Sequence, residues 1–580
     1  MNFPKPQGPK SSQGPMRRWG RLGGLGACAL LLAACQTTPL PQWPPAPIED
    51  GTASQNQPAV PRYALADYSD AIAARYPDPS VQYYTAGLSP ERSVWSSNGE
   101  ILSFLNNLAE GSVPGVQSQV IGIGRSQKGE TIHAMLIGRD ITPSLGVAGF
   151  ANSKKPTILL VGGQRGDEPV GTETLLVAAQ QFMHGEWSRW LGQVNVVIVP
   201  RLNPDGAQTG SATVVNQLDL EHDHLLLRTP EARALAQVAR DFRPLVVVDS
   251  QEYPVSNYLQ PHYQGIAFYD VLLQYGQAPN MGSFIGKAGR EWFVDPVVTA
   301  LQAQNLSSHW YHHAVGSEQR PGVGMGNARP ESLRNVQGLR NSIGLVVASR
   351  GVGLQKTHAQ RRVHSHITVL SKVLEQTATR AADLEKVRSF VTREAASQAC
   401  KGTLVVQAEA KQEQRSVVWL SPVAGERQEA QLPWASTLEL RTLTQRPRPC
   451  GYLLAATETD AVERLQLLGV NVLRVAEEGA LQVQRYNAVR QQQVSPPADR
   501  TGIAEKAPAR TLVEVGLRPQ RLNAAAGSYY VPMGQAMANL ASAALEPDTL
   551  SSFFANQVTR SLDSVARVVE PPKLVFEELE

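Results

Sequence analysis

The amino-acid sequence predicts an α/β fold: a mixed, mostly parallel sheet flanked by helices, with a smaller β-rich C-terminal region after it. Three observations carry that expectation. The runs at residues 157–161, 194–199, 245–248 and 343–347 are apolar except for Thr157 and Asn195, as strands covered on both faces are. Helical stretches separate these runs, which is the alternation of a sheet with helices packed on it. From about Ala395 onward the pattern changes to short strand candidates divided by polar turns.

Taken in order, residues 97–108 form the first predicted helix. Residues 120–124 and 131–137 read as strands joined at Gln127-Lys128-Gly129. A glycine-rich loop follows the run at 157–161 and leads into a helix over 172–182. Pro230-Glu231 opens another helix, because proline in the first turn lacks only an N–H that had no partner there. A late helix spans 358–374 and carries His358, His364 and His366. Strand candidates in the C-terminal region are 403–408, 415–420, 437–441, 481–485 and 511–515, with one helix over 460–468. In sheets of this kind the ligand crevice lies at the carboxyl ends of the strands. The segments after the apolar runs are therefore where chemistry is expected.

At 580 residues the chain is too long for one ordinary core. Lys5, Lys10, Arg17, Arg18 and Arg21 all precede Cys35, with no acidic residue among them. Taking these five charges from the formal +3 leaves −2 for the rest. That balance gives no concentrated basic face, so nucleic acid is not an expected partner.

The basic start, the apolar run at 22–34 and Leu32-Ala33-Ala34-Cys35 follow the order of a secretory signal. The run is shorter than the roughly 20 residues a spanning helix needs. The tetrapeptide resembles the bacterial lipobox, which implies acylation of Cys35; Gln36 after it favours the outer membrane, facing the periplasm. The alternative is an ordinary cleaved signal with a coincidental cysteine. The expected organisation is a lipoprotein signal peptide at 1–34, a proline-rich tether at 35–62, the α/β domain at 63–394 and an accessory region at 395–580. Cys28 leaves with the signal, so Cys400 and Cys450 remain and are expected to pair in an oxidising compartment. Two buried free thiols are the alternative.

The strand-end segments carry a further resemblance. Residues 157–171 (TILLVGGQRGDEPVG), 196–206 (VVIVPRLNPDG), 218–234 (LDLEHDHLLLRTPEARA), 246–253 (VVVDSQEY) and 341–351 (NSIGLVVASRG) resemble the zinc carboxypeptidase family, in its bacterial lipoprotein branch. The resemblance covers roughly residues 118–375 and implies a site for one zinc. The family's ligands are His-x-x-Glu and a later histidine. Here the first histidine position is Arg165, the glutamate is kept as Glu168, and the later histidine position is Gln251. Arginine stays protonated and has no lone pair to give, whereas a catalytic zinc takes three protein ligands.

The same comparison finds the catalytic glutamate replaced by Ala348, which cannot accept a proton. The Asn-Arg pair that holds a substrate carboxylate becomes Glu221-His222, and the oxyanion arginine becomes Ser211. Loss of one such donor removes about 3–4 kcal/mol of transition-state stabilisation. With the chemistry replaced, Arg165 is expected to pair with Glu168, and with Glu221, in the place of the metal.

The expected function is therefore that of a pseudoenzyme, without a cofactor, binding a peptide, a peptidoglycan stem or an envelope protein. Two alternatives stand beside it. One is an active hydrolase with a rebuilt metal centre around Glu168 and new histidines: His222 and His224, or His309, His312 and His313 on a predicted helix-to-loop stretch. The other is a structural interaction module. A serine hydrolase is disfavoured, because no Gly-x-Ser-x-Gly elbow occurs in the α/β region. Gly322-Val323-Gly324-Met325-Gly326 reads as a flexible loop.

Overall fold

The computed structural model describes residues 68–579 apart from 112, 143–145, 257–264, 318–319 and 496–508. The signal, Cys35 and the tether expected at 35–62 lie outside the described residues. Among the described residues, no helix is long and apolar enough to cross a membrane.

The strands run in chain order as β1 (Gln117–Arg125), β2 (Thr131–Gly138), β3 (Thr157–Gly162), β4 (Asn195–Val199), β5 (Val246–Pro254), β6 (Ile266–Ala267) and β7 (Val271–Tyr275). Then follow β8 (Ser308–Trp310), β9 (His313–Ser317), β10 (Arg320–Gly324), β11 (Ile343–Val352), β12 (Thr403–Leu420) and β13 (Arg427–Pro447). The last are β14 (Gly451–Leu454), β15 (Leu473–Val475), β16 (Gly479–Val494), β17 (Arg510–Ala524), β18 (Tyr529–Pro532), β19 (Val565–Val568) and β20 (Phe576–Glu578). Eight of them form the principal sheet in the order β1-β2-β4-β3-β5-β11-β7-β8. Its centre, β4-β3-β5-β11, is parallel, and antiparallel pairs flank it. The fold is the mixed α/β sheet the sequence predicts.

Alternation along β3 explains why residues 158–161 are all apolar. Ile158 and Leu160 face one side and pack with Leu175 and Phe182 of the helix Pro169–His184 and Val369 and Val373 of the helix Ala359–Thr379. Leu159 and Val161 face the other side. There they join Leu235 and Val238 of the helix Pro230–Phe242 in a core continuous with Leu454, Leu465, Leu540 and Phe553 from the C-terminal region. That helix begins as expected, with Pro230 in its first turn and the Thr229 hydroxyl accepting the Ala232 N–H at 3.2 Å.

Two further sheets carry the strands of the β-rich region, β6-β12-β13-β10-β9, to which β6, β9 and β10 come from residues 266–324, and β17-β16-β19-β14-β18-β15-β20. Three expectations are corrected here. The candidates at 403–408 and 415–420 belong to one long strand, β12, paired along its length with β13. Residues 322–326 are not a flexible loop: Val323 and Gly324 pair with Trp434 and Ala435, and Met325 is fully buried. His309 and His313 sit on β8 and β9, not on a helix, because this segment is drawn into the sheets by pairing that no local pattern announces. His358 precedes its helix as the N-cap, with φ +56°. Cys400 and Cys450 form a disulfide.

Candidate functional site

The loop after β3 runs from Gly163 to Glu168, where the helix Pro169–His184 begins. Its path is constrained at Gly166, where any Cβ would overlap the Gly206 carbonyl. Gly206 belongs to the first turn of the helix Pro204–Thr209, capped by an Asn203 side chain that accepts the Gly206 N–H at 2.8 Å. The loop thus presents Arg165 to the interior with its side chain fully buried.

A buried guanidinium must be paired, and this one is. Arg165 Nε lies 3.0 Å from Glu168 Oε1. Arg165 also donates to Asp167, from Nε to Oδ1 and from Nη2 to Oδ2, each at 3.2 Å. The second Glu168 oxygen accepts the Glu252 N–H at 2.9 Å. The expected Arg165–Glu168 pair is present; Asp167 is a partner the sequence reading did not name.

The remaining family positions surround this cluster. Gln251, on β5, donates from Nε2 to Asp249 Oδ2 at 2.7 Å. Ala348, on β11, lies opposite Gln251 across the parallel pair. It is fully buried among Leu272, Tyr311, Met325, Val346 and Trp434, the last brought in by β13. The place aligned with a general base is therefore an apolar one. Ser211 binds Thr213 through its hydroxyl at 3.3 Å, and its carbonyl accepts the Gly166 N–H at 2.7 Å.

Glu221 and His222 lie on a short turn led by Asp219. Asp219 accepts the Glu221 N–H at 3.0 Å and bonds His222 Nδ1 at 2.9 Å. Burial pushes the Asp219 carboxyl up, but His222, Arg165 and the Glu221 N–H together hold it below its ordinary range. Glu221 accepts from the Tyr311 hydroxyl at 3.4 Å. It also shares the field of Arg334, a buried arginine on the helix Leu333–Leu339 that sequence reasoning missed. Burial lowers the Arg334 pKa, while Tyr311, Glu221 and Asp249 raise it.

The new histidines have other employment. His224 Nε2 meets Gln164 Oε1 at 2.7 Å, and burial lowers the ring's pKa to about 4. His309 stacks on Tyr269 with centroids 4.7 Å apart, and His312 packs against Trp434. Burial lowers these two to about 4 and about 3. Neutral rings in an aromatic cluster are core residues by their surroundings. Among the described residues, no group of three His, Cys, Asp or Glu side chains could hold a metal ion.

Known proteins bear on this geometry. The zinc carboxypeptidase family profile matches residues 101–223. Carboxypeptidase 2 of Trichophyton tonsurans is 24% identical over 429 residues, covering 69% of this chain and 74% of the relative. Carboxypeptidase SOL1 of Arabidopsis thaliana is 34% identical over 104 residues, 15% of this chain and 21% of the relative. Among solved structures, a metallo-carboxypeptidase from Burkholderia cenocepacia aligns with a TM-score of 0.36 at 16% identity, covering 49% of this chain and 70% of that one. Residues 101–223 thus match the zinc carboxypeptidase family, and the chain is similar to carboxypeptidases over 69% of its length.

The family implies zinc, and the residues present do not fit it. Arg165 has no lone pair to donate. The Gln251 amide is turned to Asp249. Both Glu168 oxygens are engaged, one by a guanidinium and one by a backbone N–H.

Proposed function

We propose that this chain is a pseudoenzyme, a zinc-carboxypeptidase-like protein that uses its fold as an interaction module of the cell envelope. One observation carries the reading: a fully buried guanidinium, paired with Asp167 and Glu168, occupies the position aligned with the first zinc ligand. Permanent positive charge there satisfies the retained carboxylate without a metal. The burial of Ala348 in one apolar cluster with Trp434 and Met325 favours a structural role over capture of a peptide or peptidoglycan stem in the old cleft. The sequence at Cys35 supports a lipid anchor in the outer membrane, with residues 36–61 as a proline-rich tether reaching into the periplasm.

The test is zinc content of the purified mature protein, with the melting temperature followed during zinc titration. A metal that binds only the folded state raises that temperature. Absence of zinc, no shift, and no release of C-terminal residues from peptides are expected. Stoichiometric zinc lost on Glu168→Ala, together with peptide cleavage, would restore the hydrolase reading.

A further inference from the structure

Beyond the strand end that carries Ala348, a second buried arginine has a different kind of surrounding. Arg350 is 3% exposed. Its Nε donates to the Ala267 carbonyl at 2.8 Å and its Nη1 to the Tyr68 hydroxyl at 3.0 Å. The guanidinium lies over the Tyr76 ring, 3.8 Å from its centroid. Among the described residues it has no carboxylate partner, and its Nη2 makes no hydrogen bond.

Arg350 lines a cavity of about 10 Å³ together with Tyr76, Asp270, His358, Arg361 and Arg362. That is room for one water or one small ion. The other two arginines are matched: Arg361 grips Asp270 with Nε and Nη2 at 2.7 and 3.2 Å, and Arg362 Nε meets Glu252 Oε1 at 2.9 Å. Asp270 is further saturated by the Ser307 N–H and hydroxyl, each at 2.9 Å. Asp78 accepts the Arg361 backbone N–H at 3.3 Å and also acts on His358, so of the three arginines lining the cavity only Arg350 has no carboxylate in ion-pair reach among the described residues. On the same wall His358 Nε2 also has no hydrogen-bond partner. A buried charge without a counter-charge is costly, and the two unpaired nitrogens belong to residues that border the same space.

We propose that this cavity binds a single monovalent anion of chloride size, held by Arg350 Nη2 with His358 Nε2 as a second donor. Halide binding neutralises the unmatched arginine and satisfies both orphan nitrogens.

The experiment uses the mature protein at fixed ionic strength, with sodium gluconate exchanged for sodium chloride, and reads the melting temperature. A chloride-specific rise of a few degrees is expected, growing with the logarithm of chloride concentration once Kd is passed. Arg350→Gln abolishes it, and His358→Gln needs about tenfold more chloride for the same rise. Bromide soaked into crystals places an anomalous peak within hydrogen-bond reach of Arg350 Nη2, a readout that holds if Arg350→Gln does not fold. No chloride-specific rise, a rise undiminished in His358→Gln, or bromide absent from the cavity overturns the assignment and leaves a water site.

Discussion

Arg165 Nε and Glu168 Oε1 stand 3.0 Å apart in the interior, and the carboxylate's other oxygen is fixed by the Glu252 N–H on the neighbouring strand. The pair joins the loop after β3 to the end of β5. An ion pair of this kind serves cohesion only while both partners remain. Removing one leaves an uncompensated buried charge, which costs about 3–5 kcal/mol.

Arg165→Ala is therefore expected to destabilise the protein by about 3–5 kcal/mol, read from denaturant unfolding. Arg165→Lys should lose less, since it keeps the charge and gives up the fork that reaches Asp167 and Glu168 together. A change under about 1 kcal/mol in Arg165→Ala would show that the pair carries little of the local structure.

The sheet was legible because burial on both faces leaves unbroken apolar runs at 158–161, 196–199 and 245–248 in or beside β3, β4 and β5, and Pro230 marks a helix start by itself. The Arg165–Glu168 pair was legible for a related reason: the two residues share one loop. Asp167 stands beside them and could have been found from the same spacing. Arg334, Trp434 and Met325 could not, since each reaches the site from a distant segment through tertiary packing. His309 and His313 misled for that reason too. Their spacing fits a helix, yet pairing with β7 and β10 makes strands of the segment.

The filling over Ala348 supplies a second prediction. Ala348→Glu forces a carboxylate into a fully apolar setting, and Trp434→Ala opens a cavity beside it. The tryptophan truncation alone should cost about 3–5 kcal/mol. The glutamate alone should cost several kcal/mol, or shift its own pKa upward to stay neutral. Because the two sites share one cluster, the double variant should lose less than the two singles added. Strict additivity in a double-mutant cycle would mean that Trp434 does not cover the Ala348 position.

The Cys400–Cys450 disulfide, with a sequence separation of 50, closes the segment that holds the paired strands β12 and β13. A crosslink of that span limits the unfolded chain and typically contributes about 2–4 kcal/mol. Replacing both cysteines by alanine should lower stability by that amount, and a reductant should do the same to the parent while leaving the variant unchanged. Two reactive thiols in the native, unreduced protein would contradict the bond.

Glu231 supplies a pH dependence with a definite sign. Burial raises its pKa from 4.5 to about 7, opposed by backbone N–H donors that include Gln127 and supported by Asp205 and Asp223. Its Oε1 accepts the Gln127 N–H at 2.9 Å, while Oε2 has no partner, so the folded protein favours the protonated acid. The folded pKa lies above the unfolded one, so the folded state binds the extra proton. This contribution is fully present below about pH 4.5 and is lost as pH rises through about 7. It amounts to about 3 kcal/mol at 1.36 kcal/mol per pKa unit. Glu231→Gln keeps the acceptor and removes the titration. The variant should match the parent at low pH and exceed it in stability above neutrality, the gap opening between about pH 4.5 and 7. Buried His224 and His312 act oppositely, destabilising the fold as pH falls below about 6.5 toward their lowered values. They are common to both proteins, so the difference between variant and parent isolates the carboxyl. A difference that stays flat across that range would place the Glu231 pKa near its unfolded value.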